Sequence, residues 1–394
     1  MNALPAEVPA LSQDKKTSKK IQINHKRNKK QDHTELLDQC AKAFQYEDCK
    51  DEYWNPEEFS LLYGTPLWDQ ADEGQRVILN QLFWVAYYSQ IISAEVATIF
   101  FNQTSAAGMY ALEGFRDVCD MLDLESAQER AHINAFKTVS EQVEAALFGE
   151  RIFSWEMRGP YAQTMIFPDS NKLKDWWKSL QLRSFGLLSA GNAFIASQYF
   201  TVRGMRTLNG KMVQQKLSLY YQNHPDQENA PMPSAISYYH FMDESYHFNS
   251  SCILGHDLIN SLPKPTAFEK WVGNKGIRGC QYDHRNFSAV VKGLFWYEPA
   301  TFPAVYKVLR SKVFNMSDME ARQMMQKCFG EENEGNVSSF GVLQTAADSY
   351  EKFLDPLEYV TAANRKMQVM RDTTLEGYLN NNRRALARFR GVSI

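Results

Sequence analysis

Four side chains that can bind metals or protons lie within eight positions of an apolar, aromatic segment. In YYHFMDESYHFNSSCILGHD, residues 238–257, these are His240, Asp243, Glu244 and His247. On a helix, His240, Glu244 and His247 have the spacing i, i+4, i+7 and therefore share one face. Burying such groups without partners costs several kcal/mol each, and coordination of a metal ion offsets that cost. The segment therefore predicts a metal-binding helix.

A second helical segment, LESAQERAHINAF, repeats the same pattern. Glu129 and His132 form a Glu-x-x-His motif, as do Glu244 and His247. Bundles that bind two metal ions through carboxylates use two such motifs, together with single Glu residues from two further helices. Glu95 lies in the middle of the apolar stretch FWVAYYSQIISAEVATIFF and fits as one of these single residues. We therefore predict a dinuclear site with the metal ligands Glu95, Glu129, His132, His240, Glu244 and His247, in which Asp243 orients a histidine.

Long helices must position these ligands. Periodicity and breakers predict helices over residues 34–50, 74–106, 108–149, 171–206 and 235–261, with loops over 223–234 and 273–286. Residues 287–394 also have a mostly helical pattern, and no series of alternating strands, glycine-rich phosphate loop or solenoid repeat is present. The sequence predicts an all-α protein with one helical domain over 34–394. Its metal-binding bundle spans about 75–260, and additional helices follow over 261–394.

The N-terminal region is strongly basic. Residues 15–30, KKTSKKIQINHKRNKK, contain eight Lys or Arg residues and almost nothing to bury. This composition is typical of a disordered, solvated tail, which we expect over residues 1–33. The alternative is an arm that attracts an acidic partner protein.

Composition also excludes several classes of protein. The net charge of −3, without a strongly basic folded segment, argues against nucleic-acid binding. Residues 83–101 are apolar enough to resemble a membrane span, but a charge at its centre, such as Glu95, costs about 2.5–3.5 kcal/mol. A buried helix is therefore expected and no membrane span. Six cysteines without a CxxC motif, and no apolar signal region, lead us to expect a cytoplasmic protein.

The ligand pattern resembles that of the diiron arylamine N-oxygenases. The specific feature is His240-x-x-x-Glu244-x-x-His247, in which an extra histidine precedes the last Glu by four residues; the resemblance covers about residues 75–260. It implies a ferritin-like or N-oxygenase-like bundle that binds two iron ions, with manganese as an alternative. It also implies a reaction with dioxygen and an external electron donor, supplied by an electron-transfer partner.

One departure from that family concerns a further Glu, which the family draws from a third helix in a setting such as LLxEGxxF. Here the corresponding LLSAGNAF, residues 187–194, has Ala190 at that position, and no Asp or Glu occurs from 176 to 225. Three carboxylates and three neutral imidazoles leave a diferrous pair with one excess positive charge. The vacancy at Ala190 is then a halide pocket, open to chloride.

This departure makes the chain similar to the dimetal-carboxylate halogenases of the cylindrocyclophane type. The resemblance implies chlorination of an unactivated carbon of a fatty acyl chain, carried on an acyl carrier protein, in natural-product biosynthesis. Two alternatives remain open. One is an oxygenase on the same scaffold, acting as a hydroxylase, desaturase or N-oxygenase. The other is a helical bundle that binds iron without catalysis or serves as an interaction protein.

Overall fold

The structure is a computed structural model that describes residues 11–110, 112–153, 172–286 and 301–392. Within these ranges it consists of helices and contains no β-strand. The prediction of an all-α helical bundle, with a buried cluster that can hold a dinuclear metal site and with extra C-terminal helices, is confirmed. The α-helices are, in chain order, α1 (Lys15–Lys30), α2 (Thr34–Ala43), α3 (Pro66–Gln70), α4 (Glu73–Tyr110), α5 (Arg116–Phe148), α6 (Lys172–Gly191), α7 (Ala193–Gln222), α8 (Met232–Cys252), α9 (Ala267–Asn286), α10 (Phe302–Arg310), α11 (Asp318–Gly330), α12 (Glu334–Leu354), α13 (Ala362–Arg365), α14 (Gln368–Arg371) and α15 (Leu375–Arg388).

Helices α4 and α5 form the first antiparallel pair of the central bundle. Near one end the Tyr88 and Phe136 rings lie 4.2 Å apart, and farther along α4 the Asn102 amide donates to Ser126 Oγ at 3.5 Å. The order of these contacts reverses between the two helices, as it must in an antiparallel pair. Glu95 lies between the two contacts on α4 and therefore faces the Glu129 region of α5.

Helices α7 and α8 form the second antiparallel pair and close the bundle against the first. Arg203 Nε donates to Ser251 Oγ at 2.7 Å near one end, and the Tyr221 and Tyr238 rings lie 5.4 Å apart near the other. The Tyr199 ring on α7 stacks on Phe101 of α4 at 4.8 Å, so α7 also contacts α4. The four helices α4, α5, α7 and α8 therefore surround the buried centre of the bundle.

The prediction of a single helix over residues 171–206 is wrong. Helix α6 ends at Gly191, and Asn192 has an extended backbone with φ −150° and ψ 112°. The Asn192 side chain accepts a hydrogen bond from Ile195 N at 3.0 Å, which caps α7. The chain therefore starts a new helix at Ala193, and α7 rather than α6 completes the central bundle.

The prediction of a disordered tail over residues 1–33 is wrong for residues 15–30. These residues form α1, which buries Thr17, Ile21, Asn24 and Asn28. The spacing i, i+4, i+7, i+11 places these side chains on one stripe, which contacts α5 and α8. The composition concealed this stripe because three of its four members are polar. Residues 1–10 lie outside the described residues.

The C-terminal region contains the predicted additional helices, and the first of them, α9, covers residues that were predicted as a loop. Residues 273–286, predicted as a loop, belong to α9. Gln281 of α9 donates to the Asn364 carbonyl at 2.9 Å, which joins α9 to the C-terminal helices. Residues 287–300 lie outside the described ranges, and a single domain over 34–394 stays a prediction. None of the described helices is both long enough and apolar enough to cross a bilayer.

Candidate metal centre

The six predicted ligands come together in the middle of the bundle, one from α4, two from α5 and three from α8. Glu244 is half-buried, and the other five side chains are buried. The ligand atoms form two groups that share Glu244, and within each group they all lie within 4.8 Å of one another. We call the group of Glu95, His132, His240 and Glu244 the four-ligand position. We call the group of Glu129, Glu244 and His247 the three-ligand position.

In the four-ligand position, two histidines from different helices face the carboxylate of Glu95. His132 Nδ1 lies 3.5 Å from Glu95 Oε1, and His240 Nε2 lies 3.2 Å from the same oxygen. Glu244 Oε1 lies 3.7 Å from His240 Nε2. The rings of Tyr88 and Phe136 lie 5.7 and 5.0 Å from the His240 ring, so aromatic side chains enclose this side of the cluster.

In the three-ligand position, one histidine faces two carboxylates. His247 Nδ1 lies 2.8 Å from Glu244 Oε1 and 3.3 Å from Glu129 Oε1. Because Glu244 contributes to both groups, it can bridge two metal ions. The three-ligand position has one protein ligand fewer than its neighbour and is the less saturated of the two.

The donor set fits metal ions, because several of its buried atoms have no other partner. Among the described residues, no hydrogen bond reaches either carboxylate oxygen of Glu95, Oε2 of Glu129, Nδ1 of His132 or either ring nitrogen of His240. Leaving buried polar atoms unpaired costs about 1–3 kcal/mol each. Carboxylate oxygens and imidazole nitrogens that converge in this way are ligands for iron, manganese or zinc.

The electrostatics of the cluster point in the same direction. Burial raises the pKa of Glu95 well above its ordinary value. Burial also opposes ionisation of Glu129, but the charges of His247 and His132 outweigh it and lower the pKa of Glu129 to about 2. Burial lowers the pKa of His240 to about 3, with a further contribution from the charge of His132.

The two remaining histidines hold protons against the effect of burial. Desolvation lowers the pKa of His132, but the nearby carboxylates of Asp243, Glu129 and Glu95 raise it well above its ordinary value. The pKa of His247 is raised in the same way by Glu244 and Glu129. Metal ions compete with protons for these nitrogens, so metal binding would release protons and replace the positive charge they supply.

The outer nitrogens of these two histidines have defined partners. His132 Nε2 lies 3.3 Å from Asp243 Oδ2, and His247 Nε2 lies 2.9 Å from Gln128 Oε1. A histidine that donates its outer N–H keeps the lone pair of the inner nitrogen for a metal. Asp243 was predicted for such a contact, whereas Gln128 was missed. The only sequence signal for Gln128 was its position beside Glu129.

A buried ion pair lies beside the three-ligand position, and sequence analysis did not find it. Arg203 of α7 donates to Glu125 Oε2, and through another nitrogen to the His247 carbonyl, each at 2.9 Å. Burial lowers the pKa of Arg203, but the carboxylate of Glu125 more than compensates, so the guanidinium stays charged. Glu125 shares the i, i+4, i+7 face of Glu129 and His132, yet it pairs with this arginine instead of joining the cluster.

The structure does not bring Ala190 to the cluster. Ala190 is exposed at the C-terminal end of α6, next to Gly108 of α4. The carbonyl of the preceding Ser189 approaches Gly108 so closely that a Cβ there would collide with it. Gly108 follows Glu95 by 13 residues, which is about 20 Å along a helix. The assignment of Ala190 as the halide pocket is therefore wrong, because the break at Asn192 makes α7 the facing helix.

Helix α7 faces the three-ligand position without offering a carboxylate. The helical face that carries Arg203 continues at i+4 and i+7 through Thr207 and Gly210. Thr207 is half-buried and Gly210 is buried. Neither has an acidic side chain, and α7 contains no Asp or Glu along its whole length. A carboxylate from the facing helix would thus have to come from this part of α7, about five helical turns later in the chain than Ala190.

Fold and site together define a class: an all-α bundle whose buried glutamates and histidines can hold a dinuclear metal site. The comparison with family models is more specific. The model of the acyl halogenase CylC-like family matches residues 16–390, and the chain belongs to this family. No curated protein and no solved structure matches the chain. Membership of the family supports a halogenase function, and the match includes both α1 and the C-terminal helices.

Proposed function

We propose that the protein is an oxygen-dependent dimetal halogenase. It chlorinates an unactivated carbon of a fatty acyl chain, bound to an acyl carrier protein, in natural-product biosynthesis. The observation that carries the proposal is the asymmetric cluster: four ligands at one position, three at the other, and a facing helix without a carboxylate. The family match supports halogenation over the other reactions of dimetal bundles.

The proposed ligands hold two iron ions, or manganese as the alternative metal. Glu95, His132, His240 and Glu244 bind the first ion, and Glu129, Glu244 and His247 bind the second. With dioxygen, the bound metals supply the oxidising power that a C–H bond of an alkyl chain requires. One C–H group, one chloride, one dioxygen, two electrons and three protons give the C–Cl product and two waters. An external electron donor is therefore needed.

The three-ligand position is the proposed site of chloride. Three carboxylates against two divalent ions leave one positive charge, which favours an anion at the unfilled coordination position. On α7, the buried Gly210 lies on the helical face that carries Arg203 and has no side chain. A carboxylate there would compete with chloride both by its charge and by coordinating the metal. Because α7 has no such carboxylate, this chain would transfer chlorine to its substrate, whereas an oxygenase transfers oxygen.

The outer face of α1 is the proposed contact for the carrier protein. Seven basic side chains are exposed on this helix, and they point away from its buried stripe. A surface of this kind attracts an acidic protein and accelerates its association. The exposed basic residues are Lys15, Lys16, Lys19, Lys26, Arg27, Lys29 and Lys30.

The experiment is turnover of a defined substrate. Purified protein is loaded with ferrous iron and supplied with dioxygen, a reductant, chloride and fatty acyl carrier protein, and the product is analysed by mass spectrometry. We expect a product with the chlorine isotope pattern, replaced by the bromine pattern when bromide is used. Oxygenated or desaturated product formed at the same rate without halide would identify an oxygenase instead. Fewer than two metals per chain and no turnover would favour a protein that binds iron without catalysis.

A further inference from the structure

The N-terminal helix reaches the metal cluster through polar side chains on its buried stripe. Asn28 of α1 and Gln128 of α5 form a reciprocal amide pair: Asn28 Nδ2 donates to Gln128 Oε1 at 2.9 Å, and Gln128 Nε2 donates to Asn28 Oδ1 at 2.8 Å. Both side chains are fully buried. Gln128 Oε1 also lies 2.9 Å from His247 Nε2. Helix α1 is thus two hydrogen bonds away from the three-ligand position.

This pair couples the orientation of the Gln128 amide to that of the Asn28 amide. The Gln128 oxygen can accept from both Asn28 and His247 because a carbonyl oxygen has two lone pairs. If the Gln128 amide alone rotated by half a turn, its N–H₂ would face both the Asn28 amide N–H₂ and His247, and both bonds to Asn28 would be lost. In the arrangement of the structure, the Asn28 pair holds an acceptor against His247 Nε2. The histidine must then carry its proton on Nε2, which leaves Nδ1 unprotonated for the metal.

A second link from the same region reaches the four-ligand position. Asp243 Oδ2 lies 3.3 Å from His132 Nε2, and Asp243 Oδ1 lies 3.0 Å from His33 Nδ1. The backbone N–H of His33 also donates to Asp243 Oδ1 at 3.1 Å. His33 immediately precedes α2. The connection from α1 to α2 therefore fixes the Asp243 carboxylate, which accepts a hydrogen bond from His132 Nε2.

We propose that Asn28 and His33 are positioning residues of the metal centre, Asn28 for the three-ligand position through Gln128 and His33 for the four-ligand position through Asp243. The inference rests on the proposed function only in requiring two metal ions at the cluster. It gives the inner face of α1 a defined task. The basic outer face and Asn28 then lie on opposite faces of the same helix, α1.

The experiment is anaerobic titration of the full chain with ferrous iron, with a competing chelator to obtain affinities and Mössbauer spectra of ⁵⁷Fe to distinguish the two ions. Asn28→Leu removes the amide at nearly constant volume. We expect about 10–100-fold weaker binding of one ion, that of the three-ligand position, and a changed spectrum for it. The second ion should bind as in the wild type.

The matched control is Asn24→Leu. Asn24 lies one turn earlier on the same buried stripe and donates to Ser250 Oγ at 2.9 Å and to the Tyr246 carbonyl at 3.2 Å. The substitution removes a comparable anchor of α1 without touching Gln128. We expect a similar loss of thermal stability but unchanged Mössbauer spectra. Equal effects of the two substitutions on iron binding would show that α1 acts only as packing, and would overturn the proposal.

Two further variants separate positioning from folding. Gln128→Glu in the Asn28→Leu background offers His247 an acceptor in either orientation, so binding of the affected ion should recover. His33→Phe keeps the ring that stacks on Tyr239 but loses Nδ1, and it should weaken the ion of the four-ligand position by about tenfold. Iron binding that does not recover in the double variant, together with unchanged iron binding in His33→Phe, would contradict the assignment. Wild-type protein that binds fewer than two ions would instead refute the proposed function itself.

Discussion

The two positions of the cluster differ in how completely the protein fills them. Two histidines and two glutamates converge on one position, which borders the aromatic rings of Tyr88 and Phe136. One histidine and two glutamates form the other, beside the buried Arg203 and a helix without acidic residues. The comparison separates two tasks. The position with more protein ligands is suited to retaining a metal, whereas the other leaves room for a ligand from outside, which we propose is a halide.

The largest effect is expected from Glu244→Ala, because Glu244 belongs to both positions. The variant should bind neither metal stably and should lose halogenation completely. Metal content by mass spectrometry after desalting checks this. Glu141→Ala, on the exposed side of α5, is the control and should retain both ions. Retention of both metals by Glu244→Ala would show that the two positions do not share a bridging carboxylate.

Removing one histidine from each position should have unequal results. His247→Ala leaves the three-ligand position with two ligands, so we expect about one ion per chain. His240→Ala leaves three ligands at its position, so it should keep about two ions with a weakened affinity for one. Metal titration of the two variants side by side provides the measurement. Equal losses would mean that the positions are not asymmetric.

Restoring a carboxylate on α7 should remove the difference between the positions. In Gly210→Glu the side chain leans toward the helix N-terminus and covers the turn between Thr207 and Gly210. We expect both metals to be retained and halogenated product to be lost, with oxygenated product in its place. Gly210→Ala, which adds bulk but no charge, should still halogenate. Chlorination by Gly210→Glu at the wild-type rate would show that the halide does not bind on the Gly210 side of the cluster.

A smaller effect is expected on the outer face of α1. Charge reversal at Lys26, Arg27 and Lys30 should raise KM for acyl carrier protein substrate by about tenfold, and the effect should fade at high salt. The rate with a short acyl thioester that lacks the carrier should not change, since no metal contact is altered. An equal effect on both substrates would mean that this face does not bind the carrier.

The six converging residues could be predicted because each leaves a local signal in the sequence. Glu129-x-x-His132 and His240-x-x-x-Glu244-x-x-His247 lie on single helical faces, and a charged Glu95 inside an apolar helix requires an explanation. The helical fold followed from the same periodicity. These predictions do not depend on where each helix begins or ends, because residues three or four positions apart share one side of a helix.

The errors have a different origin, since they concern which helices meet. Asn192 caps α7 and divides a stretch that was read as one helix, so Ala190 was assigned to a face it does not reach. Asn24 and Asn28 were counted as solvated residues, although their amides have buried partners on other helices. Glu125 has the same spacing as the ligands, and what distinguishes it from them is its ion pair with Arg203, which lies 78 residues away in the sequence. Partners that are distant in sequence leave no periodic signal.

The most direct measurement is anomalous X-ray scattering from crystals of the iron-loaded protein grown with bromide. The account predicts two iron peaks, one among Glu95, His132, His240 and Glu244 and one among Glu129, Glu244 and His247. It predicts a bromide peak beside the second iron, on the side of α7 near Gly210. A single iron peak, or bromide beside the first iron or next to Ala190, would contradict it.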